Sequence, residues 1–558
     1  MNNIYKKLLI LVLLGAFACT SDFDEINTQP GAVTADEASA RYFLTNVQFQ
    51  LYGPNRFPYW RGPLIHGDRY AGYFTFGHSG CWWNDGLGYT YNGGYTDATF
   101  GWLDGYLGEL DNFLEVTDTG GAFENSGMHA VGLIMKGLYF SKFTDIFGEL
   151  PYSEAGDPDI VTPRFDTQLD IYQGVIAELD EAMTLIGSNT NTGEGVDNMA
   201  ENDLFFNGDL QKWKKLANTL KLKMGMRALG APGAGFANGV ITEAMSNPLM
   251  EQVDEDATLV KDEVISQWGS AAYGDIWHNF GGLGSKWHLG EVLVSALRDN
   301  DDPRLSIFAK PAQGGDMTFR KPENADEIKA YALMLSTLDD ANVVYNTSES
   351  GDEVTVSFAA DEFYVGQPTR LNGVSYDYAG WEMFSTPADI IINPKNGGPI
   401  SAELILSSAD AFFLRALAVV EGVGSGDANT FYQSGISRSM EYWGVNGDAI
   451  TNFLDNSPMG SLSGTQEDMR MQINTQRWLA NYTNGFEGWA IVRKTGYPAA
   501  LAGGVTDGDV FSLGEINGAY PQRMRYGNQA RDKNGTNLSE ALGRQGADAQ
   551  DTKLWWAK

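Results

Sequence analysis

Apolar residues recur along this chain with the 3.6-residue period of an α-helix. Tyr172, Val175, Ile176, Leu179 and Met183 stand at offsets of 0, 3, 4, 7 and 11, which puts them on one helix face. Trp213, Leu216, Ala217, Leu220 and Met224 repeat that spacing behind Asp209, a residue suited to cap a helix N-terminus. Ala409, Phe412, Phe413, Ala416 and Val420 repeat it again ahead of Gly422, a residue suited to end one. Stripes of this kind form core. Over Ala130 to Lys142, Ala130, Leu133, Ile134 and Gly137 offer a narrow face of small residues that predicts close helix packing. Three intervening segments, Asp68 to Thr99, Lys261 to Gly290 and Met317 to Pro399, are rich in glycine and aromatics and read as long loops or small sheets. In the third, Val354, Val356 and Phe358 alternate with polar neighbours, and Phe363 and Val365 flank Tyr364 after a short break, which predicts a hairpin. The expected fold class is mainly α, with paired helices, long irregular loops and minor β-hairpins; no fixed period marks a regular solenoid.

The N-terminus has a different character. Lys6 and Lys7 precede an unbroken apolar run from Leu8 to Leu14, and Gly15-Ala16-Phe17-Ala18 leads to Cys19. The apolar stretch falls short of the ~20 residues that span a bilayer as a helix, so residues 1–18 read as a secretory signal. Cys19 behind Ala18 resembles a bacterial lipobox, with Ala16 and Phe17 in place of the usual Leu and Ala or Ser. Residues 19–34 then form a polar, acidic, lipidated tether, and residues 35–558 the folded body. Cys19 and Cys81 are the only cysteines, too few for a disulfide framework. A single disulfide between them is the alternative to acylation of Cys19.

Charge narrows the function classes. With 72 acidic and 38 basic residues among 558, the net charge of −34 repels phosphate backbones, so nucleic acid is not an expected partner. The chain also carries 14 Trp, 25 Tyr and 29 Phe, more rings than a plain helical core needs.

Several motifs in order resemble the SusD/RagB family of outer-membrane nutrient-binding lipoproteins of Bacteroidetes. They are Phe23-Asp24-Glu25-Ile26-Asn27 through Pro30, Thr144-Asp145-Ile146-Phe147-Gly148 through Ala155, and Asn207-Gly208-Asp209 through Lys221. Asp302-Pro303-Arg304-Leu305, Tyr432 to Ile436 with Met440 to Val445, Phe486-Glu487-Gly488-Trp489, and Arg493 to Pro498 follow. Leu417 and Lys494 depart from the family's usual Glu and Arg. The resemblance implies a SusD-like fold, in which TPR-like helix pairs form an α–α superhelical scaffold and irregular segments on its face build the ligand site. It also implies a partner, a SusC-like TonB-dependent transporter in the outer membrane, and a lipid-anchored place at the cell surface. Asp145 and Arg493 read as structural ions within these motifs.

Sugar recognition needs flat rings for pyranose C–H faces and amides or carboxylates for hydroxyls. The candidates lie in the three irregular segments: Trp82, Trp83, Asn84 and Tyr89; Trp268, Trp277, Asn279 and Trp287; and Tyr376 and Trp381. Trp213, Trp443, Trp478 and Trp489 stand in helical or motif contexts and read as core. No catalytic residue, cofactor or metal is expected. Five histidines include no zinc-helix pair, and Gly77-His78-Ser79-Gly80-Cys81 lacks the last glycine of a nucleophile elbow. Asp254-Glu255-Asp256 and Asp299, Asp301 and Asp302 read as acidic turns rather than calcium loops, since Leu259 and Arg304 stand where such a loop needs Gly. The expected function is capture of oligosaccharide and delivery to the transporter. The alternatives are peptide capture of the RagB-like kind and, from another class, a surface glycoside hydrolase.

Overall fold

A computed structural model describes residues 38–53, 60–76, 90–260, 287–392 and 401–558. The first half of the described chain holds α1 (Arg41–Tyr52), a π-helical turn (Trp60–Asp68), β1 (Phe74–Phe76), α2 (Gly93–Thr117), α3 (Ser126–Phe147), α4 (Gln168–Ile186), α5 (Leu210–Ala228) and α6 (Ala237–Met245). Next come β2 (Ala257–Leu259), β3 (Trp287–Leu289), α7 (Glu291–Arg298), β4 (Gly315–Arg320), α8 (Ala325–Asp340), β5 (Tyr345–Ser350) and β6 (Glu353–Phe358). The last part holds β7 (Glu403–Leu406), α9 (Ser408–Val420), α10 (Ala428–Tyr442), α11 (Gly447–Asn456), α12 (Gln466–Ala480), α13 (Gly485–Thr495) and α14 (Asn528–Gln545).

Helices pack on their sequence neighbours: α3 on α4, α4 on α5, α5 on α6, and α9 on α10 and α12. The three apolar stripes lie inside α4, α5 and α9 as their spacing predicts. Side chains cap each start: Thr167 accepts from Asp170 N, Asp209 from Gln211 N and Lys212 N, and Ser407 from Asp410 N. Each cap holds about 1 kcal/mol. Gly137 lets α3 approach α4 closely, because a Cβ there would meet Leu179 Cδ2 at 3.1 Å. At the end of α3, Gly148 takes φ = +100° and donates to Thr144 O at 2.9 Å, and Pro151 follows, so the helix stops where the motif predicts. A second apolar cluster, including Leu222, Ile241, Phe413, Tyr432, Ile436 and Ile473, joins α5 and α6 to α9, α10 and α12.

Trp213, Trp443, Trp478 and Trp489 are buried in core. Trp213 donates to Asp203 Oδ2 at 2.8 Å, and Gln48 on α1 donates to Asp203 Oδ1 at 2.7 Å, so one carboxylate ties α1 to α5. Charges run through the centre as a chain. Arg227 pairs with both Asp145 and Glu487; Arg477 reaches Glu487 at 2.8 Å and Asp410 at 2.6 Å. Burial by itself pushes the Glu487 carboxyl up, yet Arg227, Lys223 and Arg477 together hold it well below the usual range. Arg493 lies 3.6 Å from the Trp489 ring centroid and donates to Gln522 O at 2.9 Å. Asp145 and Arg493 are thus structural, as is Arg304, which binds Asp302, Ser439 and Gln476.

Three expectations need correction. Helix α2 begins at Gly93, inside a segment read as irregular, and α8 lies inside another. The predicted hairpin exists, but β6 pairs with β5 before it and β4 beyond, in the order β4-β6-β5, while Phe363 to Val365 stands outside that sheet. Strand β5 (YNTSES) is almost wholly exposed, so it carries no apolar alternation to read. Among the described residues, no helix is long and apolar enough to cross a membrane.

Candidate ligand-binding site

Strands β1 and β3 form a short antiparallel ladder, with Phe74 opposite Leu289, Thr75 opposite His288 and Phe76 opposite Trp287. The Phe76 and Trp287 rings lie 4.8 Å apart at 45°. Because the pairing is antiparallel, the chain after Phe76 and the chain before Trp287 start from the same end of the ladder. The first carries Trp82, Trp83, Asn84 and Tyr89; the second carries Trp268, Trp277 and Asn279. These seven candidates lie outside the described residues, as do Cys19, Cys81 and the Gly77 to Cys81 stretch.

The third cluster is anchored to the same point. Tyr376 donates its hydroxyl to Phe76 O at 2.9 Å, and Gln367 Nε2 donates to that carbonyl at 2.6 Å. With its amide nitrogen so committed, Gln367 turns Oε1 toward His288 Nδ1 at 2.5 Å, and the ring nitrogen donates there. His288 Nε2 lies 3.1 Å from Trp381 O, and the Trp381 ring lies tilted by 31° against the imidazole, centroids 4.1 Å apart. Segments some three hundred residues apart in sequence thus meet around one strand pair.

The individual rings differ in exposure. Trp287 is 3% and Tyr376 8% exposed, so both give their faces to the protein interior instead of an open stacking surface. The cause is geometric: a residue in register with Phe76, or bonded to its carbonyl, is drawn under the ladder. Trp381 stays half-buried. Arg69, which no sequence motif marks, holds its guanidinium 4.1 Å from the Phe76 centroid. In the π-helical turn leading into β1, burial lowers the His66 ring to about 4; its bond to Arg61 O opposes the shift and the Arg69 charge adds to it.

The acidic turns are engaged elsewhere. Asp254 pairs with Lys212 at 3.0 Å, Glu255 pairs with Lys215, Asp256 accepts from Ser408 N at 2.6 Å, and Asp302 pairs with Arg304. Among the described residues, no group of three or more His, Cys, Asp or Glu side chains is placed to hold a metal ion.

A family model described as starch-binding associating with outer membrane matches residues 85–527. Among solved structures, a chitin-binding protein is 26% identical with a TM-score of 0.71, covering 93% of this chain and 100% of that one. A SusD homologue from Bacteroides uniformis is 22% identical at a TM-score of 0.71, covering 93% and 99%. Another from Bacteroides vulgatus is 21% identical at 0.68, covering 93% and 98%. No curated protein matches the chain. The fold is the helical, TPR-like scaffold with minor hairpins that these structures share.

Proposed function

The chain belongs to the SusD-like family, and from that premise we propose that it captures oligosaccharides at the cell surface and passes them to a SusC-like TonB-dependent transporter. The observation that carries this reading is the Phe76–Trp287 pair. It roots two Trp-bearing segments at one end of one ladder, with Trp381 held close by through His288. A chain of pyranoses presents successive faces that need successive aromatic platforms, and segments this rich in Trp can supply them.

Affinity at such a site is modest. An open, stacking-based surface leaves much of each sugar hydrated, and a ligand that must be passed on cannot be held too tightly. Cys19, acylated after removal of residues 1–18, would anchor the chain through the tether of residues 19–34; mass spectrometry of the mature protein reads that modification directly. The role is capture and not cleavage, in keeping with a family described by binding.

Calorimetric titration of the chain from Thr20 onward, with reducing ends assayed in parallel, tests the reading. The likeness to a chitin-binding protein puts chito-oligosaccharides first in the panel, beside starch fragments. Saturable binding without new reducing ends is expected. Cleavage would move the protein to the hydrolases, and silence toward every saccharide with binding of peptides would move it to peptide capture. Recovery of a TonB-dependent transporter on affinity purification from outer membranes is the expected outcome for the partner.

A further inference from the structure

Past the other end of the β1–β3 ladder, α7 begins at Glu291 and forms one wall of a pocket of about 410 Å³. That volume falls within the range of about 300–1,000 Å³ typical of small-molecule sites. At ~3.3 Å per strand residue, Gly290 lies about 10 Å along the chain from Trp287, so the pocket is separate from the roots of the Trp-bearing segments. Its walls are fixed by backbone contact: a Cβ at Gly290 would strike Gly72 O, and one at Gly366 would strike Glu291 Cα.

The lining is half apolar and half polar, but its charges are not balanced. Leu501, Pro368 and the half-buried Phe511 ring supply the apolar side. Arg370, the one cation of the lining, donates to the carbonyls of Ser512, Leu513, Gly518 and Ala519, which engage four of its five N–H groups. Glu291 is the reverse case: its carboxylate has no hydrogen-bond donor among the described side chains or backbone groups, and burial, with Asp340 nearby, raises its pKa against the opposing charge of Arg298. Asp507 adds a second negative charge at the pocket, shared with Lys329 at 3.7 Å. A partly desolvated carboxylate beside an aromatic ring offers an acceptor to hydroxyl or ammonium donors and a face to C–H groups.

The geometry points to a second saccharide subsite here, one that takes a neutral or amino-sugar unit and rejects a uronate. It rests on the capture reading, and one set of measurements separates the two. Saturation-transfer NMR is recorded on the full mature chain with glucose, glucosamine and glucuronate, and with a chito-oligosaccharide. The proteins are wild type, the pocket variants Ala500→Trp and Glu291→Gln, and the segment variant Trp82→Ala/Trp83→Ala/Trp277→Ala. Ala500 is exposed at the rim, so the indole fills the opening without displacing core, and Glu291→Gln keeps the shape if that variant fails to fold.

Glucosamine and glucose are expected to bind wild type and the segment variant, and glucuronate neither. Ala500→Trp should abolish this residual signal, and Glu291→Gln should weaken glucosamine about tenfold, the worth of one charge-assisted bond. Glucuronate binding as well as glucose would overturn the subsite. So would loss of every signal in the segment variant while Ala500→Trp binds like wild type, and that result leaves capture standing. Wild type silent toward the oligosaccharide as well as the single sugars would overturn both.

Discussion

The Tyr376 hydroxyl donates to the carbonyl of Phe76 at 2.9 Å, joining residues 300 positions apart in sequence. Phe76 is the last residue of β1, and its side chain faces Trp287, so this bond fixes the strand end from which the Trp82 segment departs. Gln367 Nε2 also donates to that carbonyl, so removing the Tyr376 hydroxyl weakens the anchor without abolishing it. Tyr376→Phe should cost about 1 kcal/mol in denaturant unfolding and weaken glycan binding by loosening the root. Unchanged affinity with the expected stability loss would show that the root does not position the ligand site.

Trp381 is the described candidate that keeps partial exposure, with its ring tilted against that of His288. Its partial exposure is what a ring that meets a sugar needs. Trp381→Ala should raise the dissociation constant by roughly two- to twelvefold, the worth of one aromatic contact of about 0.5–1.5 kcal/mol. Calorimetry of the variant with an unaltered melting temperature is the check, and wild-type affinity would remove Trp381 from the site.

Glu487 neutralises two buried guanidinium groups, those of Arg227 and Arg477. Glu487→Gln leaves Arg227 with Asp145 alone and Arg477 with Asp410 alone in the interior, and unfolding free energy should fall by about 3 kcal/mol. The carboxyl's folded pKa lies below its unfolded value, so its contribution is complete above the unfolded pKa near ~4.3 and fades as pH falls through the folded one. Urea curves at pH 7 and pH 3 should therefore differ less for the variant than for wild type.

Protonation of His66 acts over a higher window. Its folded pKa of about 4 lies below the unfolded value near ~6.5, so the neutral ring contributes fully above ~6.5, and that contribution declines as pH drops toward 4. The difference is on the order of 3 kcal/mol across the window. His66→Gln, which retains a donor for Arg61 O, should gain on wild type by that order between pH 7 and pH 4. Parallel pH dependence in both proteins would contradict a buried neutral His66.

Much of the scaffold is legible in the sequence because α4, α5 and α9 bury one face each and leave stripes at helical spacing. Helix α2 is harder to read: five of its 25 residues are glycine, each costing about 1 kcal/mol against alanine in a helix. Tertiary packing overrides that cost, since Tyr106, Leu110 and Phe113 are buried along one side of it. Strand β5 has no buried face and hence no alternation. At the site, the composition of the irregular segments marks where rings are concentrated, but period and composition do not say which ring turns inward. Trp287 and Tyr376 are drawn under the ladder by strand register and by a hydrogen bond to a residue far away in sequence. Arg69 carries no motif that marks it, and only the fold brings it to Phe76.

The sharpest test of capture by one shared site is a double-mutant cycle in glycan affinity between Trp82→Ala and Trp277→Ala, one ring from each segment rooted at Phe76–Trp287. A shared ligand should make their effects non-additive by about 0.5–3 kcal/mol, each variant alone weakening binding. Strictly additive losses, or no loss from either, would contradict a single site built by the two segments.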